Sequence, residues 1–88
     1  MALQASGMRE LAFRLLSHHR ERLDRAADAL GAEPQSGYEL SFALFGSDLP
    51  AAGRRFAIAE TLSHLERLVR EGAARRVEDD GAVTYTAP

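Results

Sequence analysis

Three apolar stripes at helical spacing, followed by a C-terminal stretch that reads strand, tight turn, strand, predict an α+β fold, mostly α. The order helix, helix, helix, hairpin is the skeleton of a winged helix-turn-helix, with the hairpin as its wing. A plain three-helix bundle would have no use for that hairpin. The clearest stripe lies in the third helix, where Ile58, Leu62, Leu65 and Val69 share one face with Thr61 and Leu68 beside them. Such a fold can read DNA, join subunits or serve a larger enzyme, so function must come from particular residues.

The chain reads as a single domain over residues 1–88, opened by a small, polar, frayed lead-in over 1–7. From about Met8, Ala12, Leu15, Leu16, Leu23, Ala26, Ala27 and Leu30 form the first helical stripe, ended by Gly31. His19 fills the stripe slot between Leu16 and Leu23 and is expected as a packed core histidine, with His18 on its flank. Arg14, Arg20, Glu21, Asp24, Arg25 and Asp28 fall on the water side.

Residues 32–35, with Pro34, form a connector. Ser36 and Glu39 have the spacing of a capping box, which opens a second helix carrying Tyr38, Leu40, Phe42, Ala43, Leu44 and Phe45 and closed by Gly46. Ser47 to Pro50 can start a helical turn, with Asp48 near its N-cap and Pro50 in its first turn, but a loop or a short turn is expected to about Gly53, because glycine inside a helix costs about 1 kcal/mol relative to alanine. The long third helix then runs to Gly72. In the hairpin, Asp80-Gly81 is a favoured pair for a two-residue turn, and Val77, Val83 and Tyr85 are the expected inward residues.

A chain of this size buries about 60–65% of its unfolded surface, enough for a modest core. The 45% hydrophobic content supports packing rather than disorder. There is no cysteine, which removes disulfides and thiolate metal sites. No apolar run spans a bilayer and no charged-then-apolar leader opens the chain, so a soluble cytoplasmic protein without membrane contact is expected. All eleven basic residues are Arg, yet the net charge is −2. Free-standing DNA-binding domains usually carry a basic surplus, because phosphate contacts supply much of their affinity.

The residues that could carry chemistry are sparse. Glu60 and His64 stand at i and i+4, but zinc needs three or four ligands and no third donor accompanies them. His18 and His19 are adjacent, so on a helix they point about 100° apart. No serine sits in a nucleophile elbow and no glycine-rich phosphate loop exists. No catalytic, cofactor-binding or metal-binding residue is therefore expected in this chain.

For nucleic acid, the candidates are Arg67 and Arg70 in a groove, with Arg75 and Arg76 on the backbone. The outward face of the third helix would carry Glu60, Ser63, His64, Arg67, Arg70 and Glu71. Helical spacing lets Glu71 neutralise Arg67 and Glu66 neutralise Arg70. Glu78, Asp79 and Asp80 make the wing acidic. Weak nucleic-acid binding, or none, is the expectation.

The segment Phe42-Ala43-Leu44-Phe45-Gly46, then Leu49-Pro50, then Arg55 to Leu68 and Glu71-Gly72, resembles the C-terminal winged-helix domain attached to metallo-β-lactamase-fold hydrolases. The Thr61-Leu62-x-His64-Leu65-x-x-Leu68 core with its following Glu-Gly is the most specific feature, and His19-Arg20 is similar to the His-Arg that opens the domain. The resemblance covers the chain from about Leu15. It implies that a dinuclear metal site of the His-x-His-x-Asp-His type belongs to a hydrolase domain, and that motif is absent here. It also implies an accessory role: packing on a catalytic domain, in cis or in trans, and helping to wall the substrate approach. His19 and His64 match family positions and read as structural. Two other readings stand beside this one: a stand-alone winged-helix transcriptional regulator, and an interaction module that forms a homodimer through the first helix.

Overall fold

The computed structural model describes residues 18–88, together with Arg9. The lead-in, Ala12, Arg14, Leu15 and Leu16 lie outside the described residues. Three helices are described: α1 over residues 18–29, α2 over Gly37–Phe45 and α3 over Ala51–Arg70. A two-stranded antiparallel hairpin follows, β1 over Arg75–Asp79 and β2 over Ala82–Thr86. The connector after α1 is pinned to β2 by an isolated bridge. Gln35 N donates to Tyr85 O at 3.1 Å, and Tyr85 N donates to Gln35 O at 2.8 Å.

Local chemistry sets most of the boundaries. The capping box forms as expected: Glu39 N donates to Ser36 Oγ and Ser36 N donates to Glu39 Oε1, each at 3.1 Å. At the far end of α3, Ala73 N reaches Leu68 O at 2.8 Å and Gly72 N reaches Val69 O at 3.1 Å. With Gly72 at φ 78°, these bonds make a Schellman motif that satisfies the last carbonyls. Asp80 and Gly81 both have positive φ, 53° and 83°, as a two-residue type I′ hairpin turn requires.

The start of α3 differs from expectation. The helix begins at Ala51 with Pro50 as its N-cap residue, and Gly53 lies inside it. Pro50 already holds φ at −65°, and Arg54 N bonds to its carbonyl at 2.8 Å. A 20-residue helix fixed by tertiary packing tolerates one glycine's weak propensity.

The core joins the three helices to β2: Ala26 of α1, Leu40 and Leu44 of α2, Leu65 and Leu68 of α3, Ala74, and Tyr85 of β2. The inward face of α3 is Ala57, Thr61, His64, Leu65 and Leu68, whereas Leu62 is exposed and Ile58 and Val69 are half-buried. The helix is thus rotated from its expected facing by about one residue position, on the order of 100°. The cause is that α3 lies between two neighbours, so its buried face is centred between them. On the α2 side, a Cβ at Gly37 would lie 2.4 Å from Leu62 Cδ2, so the missing side chain lets Leu62 pack at the rim of that contact. On the α1 side, His19 stands beside His64.

This rotation buries His64, which was expected on the outer face; on α1, His19 is exposed instead of packed in the core. Hairpin register corrects a third assignment. Val77 pairs with Thr84, so it lies on the face opposite Val83 and Tyr85, which share theirs with Glu78 and Arg76.

Candidate functional site

The polar residues of the α3–hairpin junction are the ones singled out for nucleic acid. Arg67 Nε pairs with Glu71 Oε1 at 2.9 Å, the expected i,i+4 contact. Glu66 behaves differently. Its partner is Arg76 of β1, with Nε 3.3 Å from Glu66 Oε2, in place of the expected Arg70. Arg76 also reaches Glu78 Oε1 at 2.8 Å, and the Tyr85 hydroxyl donates to Glu66 Oε2 at 2.5 Å. Glu66 is therefore a node that fastens both strands of the hairpin to α3. Burial, with the Glu66 carboxylate beside it, pushes the Tyr85 phenol up to about 12.

The four arginines are not gathered into one patch. Arg67 and Arg70 line a single cleft, whereas Arg76 is held against Glu66 and Glu78. Arg75 is its neighbour in the strand and so projects from the opposite face of the hairpin. Arg70 and Arg75 are exposed and form no ion pair among the described residues. Arg54, next to the exposed Arg55, is occupied at the α2–α3 junction. It bonds to Ser41 Oγ at 3.0 Å and to Gly46 O, and its guanidinium lies 3.7 Å from the centre of the Phe42 ring. The signal for Glu66 as a node was present in sequence only as a carboxylate near a strand arginine, and helical spacing offered Arg70 as a simpler partner.

Two adjoining clefts, of about 470 and 300 Å³, open between α1 and α3 and share His19, Leu23 and Arg67. The larger adds Arg20 and Asp24 with Glu71, and the smaller adds Glu60 and Ser63 with Arg70. Both signs of charge line each cleft, so neither focuses a field of one sign. The His19 and His64 rings stand 6.1 Å apart, tilted by 59°. Burial lowers the His64 pKa, a trend that Glu60 opposes and that His19, Arg22 and Arg67 reinforce. His64 Nε2 and Thr61 Oγ1 are buried without hydrogen-bond partners. Among the described residues, no group of three or more His, Asp or Glu stands where it could hold a metal ion. No described helix is long and apolar enough to cross a membrane.

The class that this fold defines is a small, mostly helical α+β domain closed by a hairpin, with arginine–carboxylate pairs holding its elements together. The chain belongs to the metallo-beta-lactamase-like C-terminal domain family, whose sequence profile matches residues 23–88. It is also similar to the crystal structure of a beta-lactamase domain protein from Burkholderia ambifaria, at 30% identity and a TM-score of 0.73. That match takes in 85% of this chain and 23% of the other, so the chain spans under a quarter of its neighbour's length. No curated protein matches the chain.

Proposed function

We propose that this chain is the accessory winged-helix domain of a metallo-β-lactamase-fold hydrolase, packing on the catalytic domain and shaping its substrate side, with no catalysis of its own. The observation that carries this reading is the family match over residues 23–88. The winged-helix assignment is supported by the order of three helices and a hairpin, with Gln35 bridging to Tyr85 as a short third strand. On this reading the metal, the activated water and the bond cleavage belong to the catalytic domain, in cis or in trans.

The engagement of Arg67 by Glu71 and of Arg76 by Glu66 and Glu78 favours a protein partner over DNA. Carboxylates already paired with these arginines reduce the counterion release that drives phosphate binding. By fluorescence anisotropy the chain should bind random duplex no tighter than about 10⁻⁴–10⁻⁶ M at physiological salt. Submicromolar binding with a steep salt slope, weakened by Arg67→Ala or Arg76→Ala, would favour a regulator instead.

The accessory role is tested with the Burkholderia ambifaria protein trimmed of the segment that matches this chain. The chain alone should hydrolyse no ester, thioester or lactam, and adding it to the trimmed protein should raise that protein's hydrolysis. Turnover by the chain alone, or no effect on the trimmed protein, would contradict the proposal.

A further inference from the structure

Phe56 is the most exposed large apolar side chain described, at 65%, and it does not stand alone. Ala52, Phe56, Ala59 and Ser63 follow one another at i, i+4, i+7 and i+11, so they form a row along the solvent side of α3. All four are exposed. Leu49, itself exposed, lies against the first turn of α3 on the flank of this row, its Cβ 3.5 Å from where a Cβ at Gly53, three positions before Phe56, would be. The row carries no charge, and α3 has no carboxylate before Glu60. The outer side of α1 and the hairpin tip are charged by comparison, with Arg20, Glu21, Asp24, Arg25 and Asp28 on one and Glu78, Asp79 and Asp80 on the other.

The rim of this strip has a sign. Arg55 is exposed and forms no ion pair among the described residues. The first turn of α3 holds no acidic residue, and Pro50 offers no side-chain cap, so the positive end of the helix dipole is unopposed there. On the other flank Glu60 is engaged by Arg22 at 3.8 Å. An apolar strip with a positive rim is complementary to an apolar recess edged by carboxylates.

We infer that the Leu49–Ala52–Phe56–Ala59 strip is the surface by which this domain docks on a metallo-β-lactamase-fold catalytic domain, Phe56 entering an apolar recess and Arg55 meeting a carboxylate at its edge. The inference rests on the accessory-domain reading and adds the face that serves it. The occupant follows from the structural match: most of the Burkholderia ambifaria chain lies outside the part that resembles this one, so a large body of protein accompanies such a domain there. A single well-placed aromatic with small residues around it is the usual form of an interface anchor.

The test is calorimetric titration of the whole chain into the trimmed Burkholderia ambifaria protein, with circular dichroism to show that each variant is folded. Phe56→Glu and Ala59→Arg should each weaken binding by about tenfold or more. Arg55→Glu should weaken it less and flatten its salt dependence. A reversal at the hairpin tip, Asp79→Arg, should leave it unchanged. If Phe56→Glu and Ala59→Arg bind as wild type while Asp79→Arg does not, the accessory reading stands and this face is wrong. If the wild-type chain does not bind, the accessory reading fails and the docking face with it. Should the chain instead form a dimer that Phe56→Glu separates, the occupant is a second copy and the inference is overturned.

Discussion

Removing one hydroxyl at the Glu66 node should have a definite and limited effect. Tyr85 is 2% exposed, and its ring fills the core between α1, α2 and α3, so Tyr85→Phe keeps the packing and deletes only the bond to Glu66 Oε2. A hydrogen bond to a charged group is worth about 1.5–3 kcal/mol. Here the carboxylate is 41% exposed and keeps Arg76 on the same oxygen, so water and the arginine recover part of the loss. Phenylalanine leaves no orphan donor behind. The expected loss therefore falls at or just below the lower limit of that range, about 1–1.5 kcal/mol.

Glu66→Ala should be worse, about 2–3 kcal/mol, because it strands a buried phenol and removes a partner of Arg76. Glu66→Gln keeps an acceptor for the phenol and loses mainly a half-exposed ion pair, so about 0.5 kcal/mol is expected. Urea unfolding measures the series as shifts in midpoint at constant slope. An alkaline titration adds an independent reading. The folded Tyr85 pKa is about 12 against an ordinary 10, so the native state holds the proton longer. Its contribution is complete below pH 10 and is lost as pH rises through about 12, a decline that Tyr85→Phe should flatten. A neutral Tyr85→Phe, or Glu66→Gln as damaging as Glu66→Ala, would refute this account of the node.

Three further outcomes follow from the packing. Leu65, fully buried at the centre of α3, should lose about 2–5 kcal/mol on Leu65→Ala, visible as a large drop in melting temperature. Gly37→Ala should cost about 1 kcal/mol or less, because the overlap falls on the exposed, flexible Leu62 side chain, which can turn to solvent, and the double variant with Leu62→Ala should be more stable than the sum of the two single changes, as a double-mutant cycle would show. His64 has its pKa lowered from 6.5, so the unfolded chain takes up its proton first. Stability should then be complete above pH 6.5 and fall as pH drops below it, and His64→Asn should lessen that slope in urea titrations at successive pH values.

Much of the fold was legible from residues with one strong local role. Ser36 and Glu39 announced α2, Gly72 closed α3, and Asp80-Gly81 set the hairpin, because each acts through neighbours in sequence. The facing of α3 was not legible to the same degree. Its apolar residues cover more than half of the helix circumference, and only the placement of α1 and α2 decides that His64 and Thr61 turn inward while Leu62 stays at the rim. The start of α3 was missed because propensity at Gly53 was weighed locally, while tertiary packing governs the whole helix. The Glu66–Arg76 pair lies ten positions apart across a turn, beyond the reach of periodicity. The apolar row through Ala52, Phe56 and Ala59 was present in the sequence, overshadowed by the stronger stripe through Leu65.

The central claim, that this domain works by packing on a metallo-β-lactamase-fold catalytic domain, is tested most directly in a chimera. The segment of the Burkholderia ambifaria protein that matches this chain is replaced by residues 23–88, and the product is melted by differential scanning calorimetry. Domains that share a substantial interface unfold together, whereas a passive appendage melts independently. A single transition is expected, split into two by Phe56→Glu. Two independent transitions in the unmutated chimera, with the smaller at the melting temperature of the isolated 88-residue chain, would contradict the claim.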